Sequence, residues 1–295
     1  MRRTLPAIAA WVLIALAPSP AFAWGFDAHR FIMRRAIDLL PAELKPFFMD
    51  KRDEIVVRVV DPDLWRNVGW PEDPNHFMDF GVKDYGAYPF TALPRDYGAA
   101  LQRFGRPTLE RNGMLPWRTA EIFGQLQRTF EEFKRDSPYT VSNVVLFAPV
   151  LCHYVQDAYQ PFHATDDYDG IQAGQRGIHS RFERDLFERF GERLVVNPLP
   201  PKVMTNPRDA SFDTLLESYQ LVEPILKADK AALGSRGAYD DQYYEAFFAS
   251  VRPVLEKRLS EAIAATAGAI IGAWEQAGRP ALRLKDVRTL EKPRS

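Results

Sequence analysis

Apolar residues in this chain recur at helical spacing over most of its length. Between His29 and Leu40 they fall at Phe31, Ile32, Ala36, Leu39 and Leu40, the rhythm of one helix face, and Pro41 stops the run. The pattern predicts further helices at Asp53–Val60, Arg95–Phe104, Leu115–Lys134, Ile178–Phe190 and Phe212–Leu233, and a last one over Tyr239–Ala277 interrupted at Pro253. Thr140–Tyr159 differs from these. Val141, Val144, Val145, Leu146, Phe147, Val150 and Leu151 cover all of its sides, so it is expected to be a buried helix. No segment shows clear period-two alternation. The expected fold is all-α, a single compact multi-helix domain.

The rhythm fails between Asp61 and Pro94. Pro, Gly and Asp dominate there, interleaved with Trp65, Trp70, Phe77, Tyr85, Tyr88 and Phe90. This stretch reads as a long irregular loop, and so long a loop inside a domain is usually functional. At the N-terminus, Met1-Arg2-Arg3 precedes an apolar run from Leu5 to Ala17. Pro18-Ser19-Pro20 breaks the run, and Ala21-Phe22-Ala23 follows. That is the pattern of a secretory signal peptide cleaved after Ala23, with an apolar run too short to span a bilayer. The expected organisation is a signal peptide over 1–23, one helical domain over 24–279 and a loose polar tail over 280–295, in a secreted or periplasmic protein. Cys152 is the only cysteine, so no intrachain disulfide braces the fold. The formal net charge of −1 gives no general attraction to nucleic acid or anionic lipid.

The chemistry sits in the histidines, of which there are five: His29, His76, His153, His163 and His179. His153 and Asp157 are four residues apart on the apolar helix, and His179 and Glu183 repeat the spacing on the next. Each spacing puts an imidazole and a carboxylate on one helix face, half of a zinc site. A single such pair is usually an exposed ion pair. His153 and Asp157 lie in a helix too apolar to be a solvated surface, where a buried charged pair needs a further partner such as a metal. Cys152 reads as core packing.

These residues resemble the bacterial zinc-dependent phospholipase C family, whose superfamily includes the fungal single-strand-specific zinc nucleases. The likeness is carried by His153-Tyr-Val-Gln-Asp157, Gln160-Pro161-Phe162-His163 and His179-Ser-Arg-Phe-Glu183, with Trp24 and His29 upstream and His76-Phe77-Met78-Asp79 following an Asp. The resemblance implies three Zn²⁺ ions. The first would be held by Asp63, His76, His153 and Asp157, the second by His163, His179 and Glu183. The third would be held by the free amine and carbonyl of Trp24 with His29 and Asp157, so that Asp157 bridges two ions. Asp61 is the alternative to Asp63. Asp79 is expected either to orient a ligand or to hydrogen-bond within its loop.

The implied activity is hydrolysis of phosphodiesters by a zinc-bound hydroxide, with Asp63 and Asp157 as catalytic carboxylates. Asp63, Asp157 and Glu183 offset only half the charge of three Zn²⁺ ions, and the remaining positive field suits a phosphodiester. Glu183 as the last acid resembles the phospholipase branch, whereas the short Trp24–His29 spacing resembles the nuclease branch. Leu64 and Asp73 stand where choline-specific members place the rings of a cation–π cage. The substrate expected is a phospholipid, with transient membrane-surface contact. Nucleic acid is the alternative substrate, and a non-catalytic exported zinc-binding protein is the third reading.

Overall fold

In a computed structural model, which describes residues 24–287, regular structure is helical. The signal peptide expected over 1–23 and the tail beyond 287 lie outside the described residues. The first helices are α1 (Phe26–Asp38), α2 (Lys45–Asp50), α3 (Arg52–Arg58), α4 (Asp61–Asn67) and α5 (Val82–Tyr85). They are followed by α6 (Tyr97–Phe104), α7 (Arg106–Asn112), α8 (Leu115–Glu132) and α9 (Thr140–Asp157). Next come α10 (Ile178–Ser180), a π-helical turn (Arg181–Asp185) and α11 (Leu186–Phe190), then the long α12 (Pro207–Leu233) and α13 (Asp241–Gln276).

Helix α9 is the hub. Every residue from Ala148 to Asp157 is buried, as its apolar circumference predicts. It packs on α8, α13, α3 and α1, while α12 lies against α8 and α13. The core is one continuous cluster that reaches from Trp24 to Ala277. Among the described residues, no helix is long and apolar enough to cross a membrane.

Four expectations are corrected. The stretch Asp61–Pro94 carries three short helical elements among its turns. Pro62 sits in the first turn of α4, where its missing N–H costs nothing, with Asp61 and Asp63 acidic in the same turn. A 3₁₀ turn follows at Asp73–His76. Second, α2 and α7 also form, each with a proline in its first turn. Third, α13 runs through Pro253 without a break. Pro253 and Ala249, whose carbonyl it frees, are both exposed, so water can take the lost hydrogen bond. Fourth, the tail is tied to the domain as far as Asp286. Trp274 Nε1 donates to the Pro280 carbonyl at 2.9 Å, and Arg283 donates to the Ser137 carbonyl at 2.6 Å.

Asp286 completes that attachment by capping α9. Tyr139 precedes the helix and offers no side-chain cap. Instead the Asp286 carboxylate accepts from Val141 N (2.7 Å), Ser142 N (3.1 Å) and Ser142 Oγ (2.6 Å), satisfying helix-end donors from a distant segment. Partial burial opposes its charge, but the Ser142 hydroxyl and the two amides outweigh this and hold its pKa below the usual range. Asp286→Ala is expected to cost about 1 kcal/mol at neutral pH. A depressed pKa gives stability that is complete above the unfolded value and fades as pH falls through the folded one. The melting curves of the two proteins should therefore differ at neutral pH and converge in strong acid. A gap that persisted in acid would remove the carboxylate from this account.

Candidate metal centre

His153 fixes the first cluster. Its Nδ1 lies 2.8 Å from the Val59 carbonyl, which can only accept, so Nδ1 carries the proton and Nε2 faces inward. That Nε2 is 3.0 Å from His76 Nδ1 and 3.2 Å from Asp157 Oδ2. His76 Nδ1 is 3.1 Å from Asp157 Oδ2. From the first turn of α4, Asp63 Oδ1 stands 3.7 Å from His76 Nδ1 and 3.9 Å from His153 Nε2. Donors around a tetrahedral zinc with bonds of ~2.0–2.1 Å are spaced by about 3.3 Å, and these four atoms bracket that spacing.

Asp157 divides its two oxygens. Oδ2 faces the His76–His153 cluster, and Oδ1 faces His29 Nε2 at 3.4 Å. His29 is oriented by Gln156, whose Oε1 is 2.6 Å from His29 Nδ1. The Gln156 carbonyl accepts the Trp24 indole N–H at 2.9 Å. The fully buried Trp24 ring thus anchors the start of α1 one residue from Asp157. His29, His153 and Asp157 also form a ligand group by distance. With Nδ1 engaged by Val59, His153 has one nitrogen to give, and it points to His76 and Asp157.

The third group is His163, His179 and Glu183. His163 rides on the 3₁₀ turn Pro161–Ala164. Its Nδ1 donates to the His76 carbonyl at 2.7 Å, leaving Nε2 3.9 Å from Glu183 Oε2. His179 Nε2 lies 2.9 Å from the same oxygen. Gln160 donates to Glu183 Oε2 at 2.8 Å and accepts from Phe162 N at 2.6 Å, so it aims the carboxylate and caps the turn. The loops carrying His76 and His163 are clipped together by a parallel bridge between Phe80 and Thr165 and by Met78 N donating to the His163 carbonyl at 2.9 Å.

Whether a metal suits these residues can be tested on their unpaired atoms. His29 Nε2, both Asp63 oxygens, His76 Nε2, Asp157 Oδ1, both His179 nitrogens and Glu183 Oε1 are buried and make no well-aligned hydrogen bond. Buried polar groups are normally paired, so their concentration here fits cations better than a closed polar core. Burial pushes the Glu183 carboxyl up and the His163 imidazole well down. Burial also opposes charge on His153, but Asp157 and Asp63 outweigh it and push that imidazole up to about 9. Asp157 is buried as well, yet the His153 charge beside it holds its carboxyl well below the usual range.

Three buried His/Asp/Glu groups that can hold metal ions therefore meet in one place, and all five histidines belong to them. Of the two upstream acids, Asp63 is fully buried and joins the cluster. Asp61 instead pairs with Arg58 at 3.0 Å, outside the three groups. Asp79 belongs to none of the three groups. Its backbone N donates to the Asn112 carbonyl at 2.6 Å, and burial and the Asp166 carboxylate hold its pKa well above the usual range.

Sequence reasoning missed Arg66. Its guanidinium lies 3.5 Å from Asp63 Oδ1 and 2.6 Å from Asp73 Oδ1, and the i, i+3 spacing from Asp63 was the available signal. It also missed Glu72, a buried acid that accepts from Asn75 Nδ2 (3.0 Å) and from the hydroxyl of Tyr154, whose ring packs edge-on against the His76 and His153 rings. No protein-family model matches this chain, and no curated protein matches it either.

Proposed function

We propose that this chain is an exported zinc-dependent phosphodiesterase acting on phospholipids in the manner of a phospholipase C, with a trinuclear site of the phospholipase C and zinc nuclease type. One observation carries the reading. Asp157, fully buried, turns its two carboxylate oxygens to two different histidine groups, an arrangement that joins metals rather than storing one. Zinc bound there would supply Lewis acidity and a nucleophilic water at neutral pH. The chain's own residues do the rest. Asp63, Asp157 and Glu183 fix the charge, and His29, His76, His153, His163 and His179 fix the geometry. Arg66, with its side chain only 15% exposed and paired with Asp63 and Asp73, adds a fixed positive charge beside the first group. The mixed imidazole and carboxylate donor set favours zinc over Mg²⁺ or Ca²⁺.

The nuclease reading has one observation in its favour. Trp70 is exposed and lies against Trp65 at 5.4 Å, just beyond the helix that carries Asp63, and an exposed indole can stack a base. Phe80, Tyr85 and Phe90, from the same stretch, are buried. Metal-loaded protein incubated in parallel with phosphatidylcholine vesicles, phosphatidylethanolamine vesicles and single-stranded DNA separates the readings. Release of diacylglycerol with a phosphorylated headgroup is the expected result. Cleavage of DNA alone would move the protein to the nuclease branch. Inertness with all three metals bound would leave a zinc-binding protein without catalysis.

The N-terminus gives a further prediction. Cleavage after Ala23 would make the α-amine of Trp24 a ligand, since an amine with a pKa near ~8 yields its proton to zinc while an amide does not. Protein with one added Met before Trp24 should fold, hold two metals instead of three and lose most of its activity. Equal metal content in the two forms would exclude the amine. Because the backbone would supply the ligands, substituting the Trp24 side chain should harm metal binding less than extending the chain before it. The burial of that side chain and its bond to Gln156 mean that Trp24→Ala should also be costly, by about 3–5 kcal/mol of stability, so Trp24→Phe is the gentler test of the side chain.

A further inference from the structure

Arg181 and Asp229 form a buried ion pair to which nothing above gives a role. Asp229, on α12, is fully buried, and the Arg181 side chain is 6% exposed. Four of the five guanidinium N–H groups are engaged. Nε donates to Asp229 Oδ1 and to the Tyr243 hydroxyl, both at 3.1 Å. Nη2 donates to Asp229 Oδ2 at 3.3 Å and to the Gln175 carbonyl at 3.0 Å, and Nη1 to the Arg176 carbonyl at 2.8 Å. The Tyr239 ring covers the guanidinium at 4.0 Å. Asp229 is completed by Gln175 Nε2 at 2.5 Å and by the Tyr243 hydroxyl.

The position of Arg181 gives this network its meaning. It opens the π-helical turn Arg181–Asp185 and stands two residues from both His179 and Glu183. Side chains two apart on a helix face away from each other. The network therefore grips the back of the turn while the two ligands project from its front. Single π turns recur at functional sites. This one is tied to α12 through Asp229 and to α13 through Tyr243. His163, the third member of the group, is held separately by Gln160 and the His76 carbonyl. A buried ion pair is a poor way to gain stability compared with apolar packing, but a guanidinium held on all three of its nitrogens fixes rotation about the helix axis, and that rotation aims His179 and Glu183.

We propose that the Arg181–Asp229 pair is a positioning device for one metal only, the ion held by His163, His179 and Glu183, and that breaking the pair releases that ion while the other two stay. This rests on the reading of the three groups as metal sites. The test uses the full mature chain loaded with Zn²⁺, dialysed against graded chelator and counted by elemental analysis. It is paired with ¹¹³Cd resonances of the cadmium-loaded protein. Asp229→Asn keeps the shape but removes the negative charge that faces the Arg181 guanidinium. It should weaken retention of one ion by about 10–100-fold, leave the other two as in wild type, and displace one cadmium resonance. Tyr243→Phe keeps the ion pair and removes one hydroxyl. It should fold even if Asp229→Asn does not, and weaken the same ion by a smaller factor. Three ions retained as in wild type by whichever variants fold would overturn the proposal. So would equal weakening of all three ions, the mark of a general structural role. A wild-type protein that binds no metal would instead overturn the underlying metal reading.

Discussion

Asp157→Asn is expected to lower turnover by at least about a thousandfold, equivalent to about 4 kcal/mol of transition-state stabilisation. The substitution is nearly isosteric, so the packing around the end of α9 is kept. What changes is the donor set. An amide offers one weak oxygen where the carboxylate presents Oδ1 to His29 and Oδ2 to His76 and His153. It also deletes a negative charge among buried imidazoles, one of which, His153, owes its raised pKa of about 9 largely to that carboxylate. Two groups should therefore weaken together, and metal content should fall by more than one ion. Asp61→Asn is the matched control, a change in the same region at a carboxylate paired with Arg58. Ion pairs of that kind contribute little, so its turnover should stay within a factor of about two of wild type. Turnover and elemental analysis of the two variants decide the matter. Wild-type turnover with three ions in Asp157→Asn would end the bridging role.

How much of this was legible in the chain depends on how local each feature is. Helix α9 could be read because its burial is written in its own residues, apolar on every side. The pairs His153–Asp157 and His179–Glu183 could be read because four-residue spacing on a helix is a fixed geometry. The convergence of His29, His76 and His163 on those pairs is not local, and only the family resemblance implied it. The choice between Asp63 and Asp61 needed the structure, since both lie in one helical turn and differ in which way that turn faces the core. Short elements also escaped. α4 has its proline where a helix tolerates it, and a reading that treats proline as a stop turns such a helix into a loop.

The supporting contacts were the least legible. His153 is oriented by the Val59 carbonyl, His163 by the His76 carbonyl and His29 by Gln156, partners tens of residues away in sequence. A backbone carbonyl has no residue-type signature at all. Arg181 reads from sequence as an ordinary helix arginine, and its burial depends on Asp229 and Tyr243 arriving from two other helices. The aromatic stretch after Asp61 divided in the same way. Phe80 and Phe90 stack at 4.8 Å and pack on Tyr219 of α12, while Trp70 stays in solvent, a split that composition could not foresee.

Removing the metals should lower the melting temperature by at least about 10 °C. Without cations, Asp63, Asp157 and Glu183 remain buried among five buried imidazoles, and more than half of the buried unpaired side-chain atoms in the described chain belong to these ligands. Each such orphan costs about 1–3 kcal/mol. In a domain of this size, each kcal/mol is worth about 2–4 °C, so even a few uncompensated groups reach the stated shift. The ligands come from α1, α4, α9, the turns at Asp73–His76 and Pro161–Ala164, and the segment beginning with α10. Their loosening should therefore spread through the core instead of fraying one end. Differential scanning calorimetry of protein before and after exhaustive chelation reads the effect, with elemental analysis expected to give three zinc ions per chain beforehand. Added Zn²⁺ should restore the transition, whereas Mg²⁺ and Ca²⁺, which prefer all-oxygen donors, should not. An unchanged transition in chelated protein would mean that this buried cluster is stable without cations, and the proposed metal chemistry would lose its foundation.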